Sequence, residues 1–257
     1  MQFVNFVNKT VLFIVDFFYP EFCAECEKIL NTSEEIALCK ECRQKFIIRK
    51  NPDFICWKCG KEINVDLKTP KEIIVCRDCL NAKLYFDQCR HLFHYSGLME
   101  KIIKKYKYKK KKDYSEFLAE ELYAYLKNSD NNYSTIEFDF ITNVPQHKNK
   151  LKKEEFNHID ILCSKLCKKL KIKYLPDIVI KIKKTQNQAG LRRKERLKNL
   201  KNAFQINTNF NVDNFDNKKI LLIDDVFSTG STINEVSKPL KKICPSLSVY
   251  GLTIARG

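Results

Sequence analysis

The sequence predicts an α/β protein in which a parallel sheet is flanked by helices and preceded by a small four-cysteine zinc module. Three observations support this prediction. Strand-like and helix-like segments alternate between residues 137 and 255, four C-x-x-C pairs lie between residues 23 and 79, and an aliphatic run at 220–223 ends in two aspartates. Alternation of strands with helices is typical of parallel sheets joined by right-handed crossovers.

The first 85 residues are expected to form a helix followed by the zinc module. Residues 1–20 are rich in Phe, Val and Leu, but polar residues interrupt them. We therefore predict a helix that ends at Pro20 rather than a membrane span, and no small-residue cleavage site follows it. These features favour a cytoplasmic protein without a transmembrane segment.

Eight of the 12 cysteines form pairs separated by two residues, a spacing that lets two thiolates bind one tetrahedral Zn²⁺. Redox-active C-x-x-C motifs normally occur singly beside a βαβ unit, so structural zinc is favoured. The spacing leaves open whether the pairs combine consecutively or in a crossed arrangement. Two zinc ions are predicted, with the ligands Cys23, Cys26, Cys39, Cys42, Cys56, Cys59, Cys76 and Cys79.

Residues 86–257 are expected to form the second domain. Apolar residues recur with helical spacing from 86 to 127, which predicts a helical connector over 86–135. Segment 183–202 is too polar for the core and suits a basic loop or solvated helix near the active face. Strands are predicted at 137–144, 176–182, 219–225 and 247–255, with helices at 156–170 and 232–242.

The net charge of +16 is concentrated in two segments, 101–112 and 181–201. Such concentration favours a polyanionic partner, although a general enrichment of the chain in lysine is an alternative explanation. Two tyrosines interrupt the first segment, and aromatic rings among cations suit single-stranded DNA, whose bases stack while its phosphates pair with lysine. The predicted nucleic-acid contacts are Lys104, Lys105, Tyr106, Lys107, Tyr108, Lys109, Lys110, Lys111 and Lys112.

The segment ILLIDDVFSTGST, residues 220–232, predicts a binding site for a sugar phosphate. Open α/β sheets bind ligands at the carboxyl ends of their strands, and the amides at the start of the following helix favour a phosphate. Asp224 and Asp225 can accept hydrogen bonds from vicinal ribose hydroxyls or hold a divalent cation. The predicted phosphate ligands are Ser228, Thr229, Gly230, Ser231 and Thr232.

Three other kinds of structure can contain a segment of this composition. A P-loop NTPase would need G-x-x-x-x-G-K-[ST], which the sequence lacks. The acidic pocket of a receiver-like domain usually lies nearer the start of its domain. A plain N-cap followed by a hydroxyl-rich turn is the third alternative.

The segment 220–232 resembles the binding signature of type I phosphoribosyltransferases for phosphoribosyl pyrophosphate (PRPP). With the zinc knuckles and the lysine run, the chain resembles the ComF (ComFC-like) family along nearly its full length. That resemblance implies an N-terminal zinc module joined to a type I phosphoribosyltransferase-like domain. A second motif, T-x-x-Q-x-x-L-x-x-x-x-R-x-x-N-x-x-x-A-F, is present as Thr185, Gln188, Leu191, Arg196, Asn199, Ala203 and Phe204.

The resemblance implies that a nucleophile attacks C1 of PRPP and that Mg²⁺ shields the departing pyrophosphate. Asp224 and Asp225 would act as catalytic residues that hold the ribose and balance its developing charge. No residue identifies the acceptor base. The residues implied at the pyrophosphate and in the flexible loop are Lys148, Lys183, Lys184, Gln188, Arg192 and Arg196.

One departure from the family pattern affects this expectation. Glu154 and Glu155 stand where the family has Arg and Gly, so a glutamate that faces the site should weaken pyrophosphate binding. Alternatively, a helix begins at these residues, because glutamate is favourable near a helix N-terminus. The family implies a role in natural transformation, handling single-stranded DNA on the cytoplasmic side of the inner membrane. The alternatives are a PRPP-binding sensor, a DNA-binding protein without transferase turnover, and a zinc module that docks other DNA-uptake proteins.

Overall fold

A five-stranded parallel sheet organises the chain. The computed structural model describes residues 20–31, 35–44, 54–63, 74–108, 114–129, 131–147, 157–185, 192–210 and 215–257. Five segments form the sheet: β1 (Gln88–His94), β2 (Phe140–Asn143), β3 (Lys173–Tyr174), β6 (Lys219–Phe227) and β7 (Ser248–Arg256). Their order is β1-β7-β6-β2-β3, and every neighbouring pair is parallel. The predicted parallel sheet is confirmed.

Helices cover both faces of the sheet, which explains why β6 has an unbroken aliphatic run. Leu221 and Ile223 belong to one buried core, while Ile220 and Leu222 belong to the other. A strand that is buried on both faces needs apolar residues at successive positions. The first core lies against α3 (Gly97–Tyr108), α4 (Tyr114–Lys127) and α5 (His158–Leu170), and the second lies against α7 (Ser231–Ile243).

Local signals fix where the two best-defined helices begin. The side chain of Asn157 accepts a hydrogen bond from the N–H of Ile159, so Asn157 is the N-cap of α5. Helix α7 begins after Gly230, whose φ of 77° lies in the left-handed region.

Among the helices that the structure describes, none combines the length and apolar character needed to cross a membrane. The remaining helices are α1 (Lys40–Gln44), α2 (Arg77–Leu80) and α6 (Arg193–Leu200).

The prediction of a purely helical connector over 86–135 is wrong at its start. Residues Gln88–His94 form strand β1, which pairs with β7. Six of its seven residues are buried, so the strand shows no alternation of apolar and polar residues. The opposite edge of β1 meets the cysteine-rich region, where the N–H of Cys89 donates to the carbonyl oxygen of Lys58 at 2.7 Å. This contact covers an edge that would otherwise expose backbone groups.

The predicted strand at 176–182 is shorter and lies elsewhere. Only β4 (Val179–Lys181) forms, and it pairs antiparallel with β5 (Phe204–Ile206) in a separate two-stranded sheet. The short strand β3 takes the edge position of the main sheet beside β2. The helix predicted over residues 1–20 lies outside the described residues, except for Pro20.

Candidate functional site

The eight paired cysteines form two clusters in sequence order. We call residues 21–44 the first ribbon and residues 54–80 the second ribbon. Within each cluster the four Sγ atoms lie within 4.8 Å of one another. The consecutive pairing that the sequence left open is therefore the one that forms. The clusters are Cys23, Cys26, Cys39 and Cys42 in the first ribbon, and Cys56, Cys59, Cys76 and Cys79 in the second.

Sulfur distances fit zinc. Four sulfurs at about 2.3 Å from a tetrahedral Zn²⁺ lie about 3.8 Å apart. Cys26 Sγ lies 3.7 Å from Cys39 Sγ, and Cys59 Sγ lies 3.8 Å from Cys76 Sγ. Chemistry and geometry thus agree on structural zinc at both sites, where the metal would cross-link each ribbon.

Backbone amides prepare the sulfurs to act as thiolates. The N–H of Cys39 donates to Cys23 Sγ at 3.4 Å, and the N–H of Cys76 donates to Cys56 Sγ at 3.3 Å. Burial opposes ionisation of Cys23, but backbone donors around its sulfur lower its pKa to about 6. The thiolate is the form that binds metal.

The acidic pair lies near the carboxyl end of β6, which continues two residues beyond the predicted end at Asp225. Asp225 is the more enclosed of the two, with a side chain 10% exposed. Lys107 Nζ forms a close ion pair with Asp225 Oδ2, and His158 Nε2 lies 3.1 Å from the same oxygen. Asp224 Oδ1 accepts a hydrogen bond from the N–H of Asp225 at 2.9 Å. Two elements, α3 and α5, therefore converge on the end of β6.

These contacts separate the pKa values of the two aspartates. Burial and the neighbouring charge of Asp225 raise the pKa of Asp224 to about 7. Burial also disfavours the charge of Asp225, but Lys107 and His158 overcome it and hold the pKa of Asp225 well below its usual range. Asp225 is thus the stronger acid of the pair and carries its negative charge at neutral pH, whereas Asp224 is the weaker acid.

The loop after β6 has the form expected of a phosphate cradle. A Cβ on Gly230 would lie 2.7 Å from Cζ of Phe227, so the close packing of this turn requires glycine. The hydroxyls of Thr229 and Ser231 lie 2.6 Å apart, and α7 begins at Ser231. Thr232 follows in the first turn. Hydroxyls and the first amides of a helix therefore lie together, an arrangement that favours an anion.

A cleft of about 330 Å³ connects this loop with the second ribbon. Arg256 crosses it: its Nη1 donates to the carbonyl oxygen of Cys59 at 2.7 Å, and its guanidinium lies 4.8 Å from the ring centre of Phe227. Because Phe227 also packs under Gly230, the second ribbon is physically connected to the loop after β6. The cleft is lined by Cys59, Lys61, Asp78, Cys79, Ala82, Leu84, Phe86, Phe227, Ser228, Thr229, Arg256 and Gly257.

The residues expected at the pyrophosphate are only partly placed. Lys183 and Lys184 are exposed just after β4, Arg192 precedes α6, and Arg196 lies on that helix. Lys148 and Gln188 lie outside the described residues, as do Glu154 and Glu155.

Besides Lys107, three residues that the sequence analysis did not assign to the site lie at or near the acidic pair. Lys181 on β4 lowers the pKa of Asp224, against burial and the charge of Asp225, which raise it. His158 contacts Asp225, and Gln146 Nε2 lies 3.3 Å from His158 Nδ1. Gln146 follows β2 within two residues of Val144 and Pro145, so the signal lay in the loop after that strand.

The described part of the lysine run, residues 104–108, does not form one continuous exposed surface. Tyr106 is fully buried and its hydroxyl donates a short hydrogen bond to the carbonyl oxygen of His158, so its ring cannot stack on a base as predicted. Lys107 points to Asp225, and Lys104 pairs with Glu100 at 2.6 Å. Lys105 is half-buried and Tyr108 ends α3. The expected contacts Lys109, Lys110, Lys111 and Lys112 lie outside the described residues.

Known proteins resemble both parts of this chain. The family model of the double zinc ribbon domain matches residues 14–80. Competence protein F of Haemophilus influenzae is 30% identical over 234 residues, which cover 91% of this chain and 96% of that protein. DNA utilization protein YhgH of Escherichia coli K12 is 30% identical over 102 residues, which cover 40% of this chain and 43% of its own length.

Among solved structures, adenine phosphoribosyltransferase from Saccharomyces cerevisiae is similar over 55% of this chain and 69% of its own, with 13% identity and a TM-score of 0.33. The match to the Haemophilus influenzae protein, in contrast, spans nearly all of both chains at 30% identity. This chain therefore belongs to the competence protein F family and carries a double zinc ribbon at its amino-terminal end.

Proposed function

We propose that this chain binds PRPP together with Mg²⁺ at the carboxyl edge of its sheet and serves in the handling of DNA during natural transformation. One observation carries the proposal: residues 224–232 join an ionised carboxylate, a left-handed glycine turn and a helix start within one strand–loop–helix unit. A ligand that carries both sugar hydroxyls and a phosphate suits this unit, because the hydroxyls can bind the carboxylate and the phosphate can bind the turn and the helix start.

Each part of the ligand has a chemical counterpart in the site. The carboxylate of Asp225 suits a ribose hydroxyl, since a fixed anion accepts a stronger hydrogen bond than a neutral acid. The amides and hydroxyls from Ser228 to Thr232 suit the 5-phosphate. Asp224 lies beside Asp225, and oxygen ligands of this kind suit the Mg²⁺ that accompanies a diphosphate.

The same geometry supports transferase chemistry. When pyrophosphate leaves C1, positive charge develops on the ribose, and a carboxylate that is already ionised and oriented stabilises it without reorganisation. Asp225 is such a group, because Lys107 and His158 hold it in place. Glu154 and Glu155 replace the cation and glycine of the family pattern. We therefore propose that the chain binds PRPP but turns it over slowly.

Calorimetric titration with PRPP and Mg²⁺ tests the binding site. We expect Asp225→Asn to weaken PRPP binding about 100-fold, because a charge-assisted hydrogen bond to the ribose is lost. Asp139→Asn is the matched control. Asp139 lies at the amino end of the strands, opposite the proposed site, where its side chain accepts a hydrogen bond from the N–H of Lys219 at 2.9 Å. Equal affinities for wild type and Asp225→Asn would refute the site. Pyrophosphate release, screened with different bases, then separates a transferase from a sensor.

Binding of single-stranded DNA is a second candidate. Helix α3 presents Lys101 and Lys104 on its exposed side, and the run continues through Lys112 in the sequence. The name of one relative, DNA utilization protein YhgH, points to DNA as well. The affinity for a labelled oligothymidylate should fall steeply with salt, and replacing Lys109 to Lys112 by alanine should reduce that slope. A flat salt response would count against DNA binding.

A further inference from the structure

Lys107 was expected on a DNA-binding surface, but it lies against the sugar-phosphate site. Its side chain is 26% exposed and forms a close ion pair with Asp225, whose side chain is 10% exposed. The amphipathic pattern of α3 explains the placement. Ile103 and Tyr106 are buried, and Lys107 follows Ile103 by four residues, so all three lie on one side of the helix. Lys107 is therefore a buried-face residue that carries a charge.

Helix α3 is fastened at this point. The hydroxyl of Tyr106 donates to the carbonyl oxygen of His158, and the ring of Tyr106 meets the imidazole edge-on, with ring centres 5.6 Å apart. His158 is the first residue of α5, and its Nε2 contacts Asp225. Two adjacent residues of α3 thus bind neighbouring groups: Tyr106 contacts the backbone of His158, and Lys107 contacts the Asp225 carboxylate that His158 also contacts.

Within the described part of the chain, two nitrogen partners of the Asp225 carboxylate fall on one oxygen. Lys107 Nζ and His158 Nε2 both meet Oδ2. Two partners on one oxygen restrain that end of the carboxylate, and among the described residues both of these contacts leave the other oxygen, Oδ1, as an acceptor for a ligand. An acceptor oriented in advance binds more tightly, because the entropy of ordering it is lost during folding rather than during binding.

We propose that Lys107 is a positioning residue of the sugar site, which together with His158 orients Asp225 to accept a ribose hydroxyl. The proposal rests on the function proposed above, because it assumes a ribose at Asp225. It removes Lys107 from the nucleic-acid surface and leaves the lysines on the exposed side of α3 in that role.

The test compares PRPP with ribose 5-phosphate, which has the same ribose hydroxyls and 5-phosphate but no pyrophosphate. We expect Lys107→Met to weaken the calorimetric affinity for both ligands by a similar factor, about 10- to 100-fold. Lys107→Arg should restore both affinities to within about threefold of wild type, because its guanidinium can still reach the carboxylate. Lys104→Met is the matched control, one turn earlier on the helix and paired with Glu100, and should change neither affinity.

Each outcome decides between the hypotheses. If wild type binds neither ligand, the proposed function itself fails. If wild type binds and Asp225→Asn does not, but Lys107→Met binds normally, only the positioning role is overturned. A loss confined to PRPP would also overturn it, because Lys107 would then act on the pyrophosphate. Should Lys107→Met fail to fold, His158→Gln provides the same test from the other partner of Oδ2, with the same parallel loss expected.

Discussion

The two ribbons are nearly identical in local geometry, yet they are built into the molecule in different ways. The N–H of Cys23 donates to the carbonyl oxygen of Lys28 at 2.9 Å, and the N–H of Cys56 donates to that of Lys61 at 2.7 Å. Each ribbon also has one antiparallel bridge at the same spacing, Phe22 with Ile29 and Ile55 with Glu62. The zinc-binding motif thus dictates the same turn twice.

Their surroundings differ. The first ribbon packs on the helical core, where Arg43 pairs with Glu121 of α4 at 3.3 Å. The second ribbon is joined to the sheet: Arg90 of β1 donates to the carbonyl oxygen of Trp57 at 3.0 Å, and Arg256 of β7 donates to that of Cys59. The first ribbon is therefore attached to the helix layer. The second ribbon covers the edge of the sheet at β1 and forms one wall of the cleft beside the loop after β6. The same metal site serves two architectural purposes.

Removing one cysteine ligand from each ribbon should show the largest difference. We expect Cys59→Ser to lower Tm by on the order of 10 °C or more, because Cys59 is buried in the core that contains β6 and its zinc cross-link holds β1 in place. Cys26→Ser removes the corresponding ligand from the first ribbon, where that cysteine is exposed, and should lower Tm by a few degrees. Zinc content by mass spectrometry and calorimetric Tm measure both. Equal losses would show that the ribbons are equally integrated.

A glycine tests the packing of the second ribbon against the sheet. Gly60 and Glu27 follow the second cysteine of each ribbon with φ of 62° and 61°. A Cβ on Gly60 would lie 3.0 Å from Cys89 O and from His91 Cε1, whereas Glu27 projects into solvent.

We expect Gly60→Ala to cost about 2–4 kcal/mol of unfolding free energy, from left-handed strain and overpacking together. The control Glu27→Gly should stabilise by up to about 1 kcal/mol, since it only relieves strain. Denaturant unfolding measures both changes. Tolerance of alanine at position 60 would contradict the close packing of ribbon and sheet.

Sequence reasoning succeeded where one local cause decides the structure. The cysteine spacing set both ribbons, since chelation fixes a knuckle regardless of its surroundings. The aliphatic run before Asp224 and Asp225 placed β6, because polar residues bound it on both sides. Helix α5 was placed within two residues of its start, and in the structure the N-cap Asn157 fixes that start.

It failed where distant partners decide. Strand β1 buries Gln88, Arg90 and His91, which no periodicity identifies as interior residues. Arg90 is tolerated there because its guanidinium donates to two carbonyl oxygens and lies beside Tyr133. Likewise, Lys107 reads as a solvent-facing cation until Asp225, 118 residues away in the sequence, is placed beside it. The burial of a charged residue can be predicted from the sequence only when its partner is known.

Arg256 and Arg43, which bond the second and first ribbons to the rest of the protein, should differ in their effect on PRPP affinity. Arg256→Ala removes the hydrogen bond to Cys59 and the stacking on Phe227, at a cost of about 1–3 kcal/mol. Because Phe227 packs under Gly230, we also expect the affinity for PRPP to fall about three- to tenfold. Arg43→Ala, the matched change in the first ribbon, should leave PRPP binding unaltered. Calorimetry with PRPP measures the difference. Equal affinities in the two variants would show that the second ribbon does not influence PRPP binding through the loop after β6.

The pH dependence of Arg43→Ala should reveal the smallest effect. Burial raises the pKa of Glu121, and Arg43 offsets part of that rise. A carboxyl whose pKa is raised by folding contributes stability at pH values below its unfolded pKa, and that contribution is lost as pH rises through the folded pKa. Without Arg43 the pKa of Glu121 rises further, so the variant should lose more stability than wild type as pH increases.

We expect the destabilisation by Arg43→Ala to be larger at about pH 8.5 than at about pH 5.5, by no more than about 1 kcal/mol, because the Arg43 side chain is 47% exposed and solvent screens the pair. Urea unfolding at the two pH values measures this. The control Lys28→Ala breaks the pair with Glu41 in the same ribbon, where both side chains are more than 60% exposed, and should show no such dependence. Adding Glu121→Gln to Arg43→Ala should abolish the pH dependence, and its persistence would assign the effect to another group.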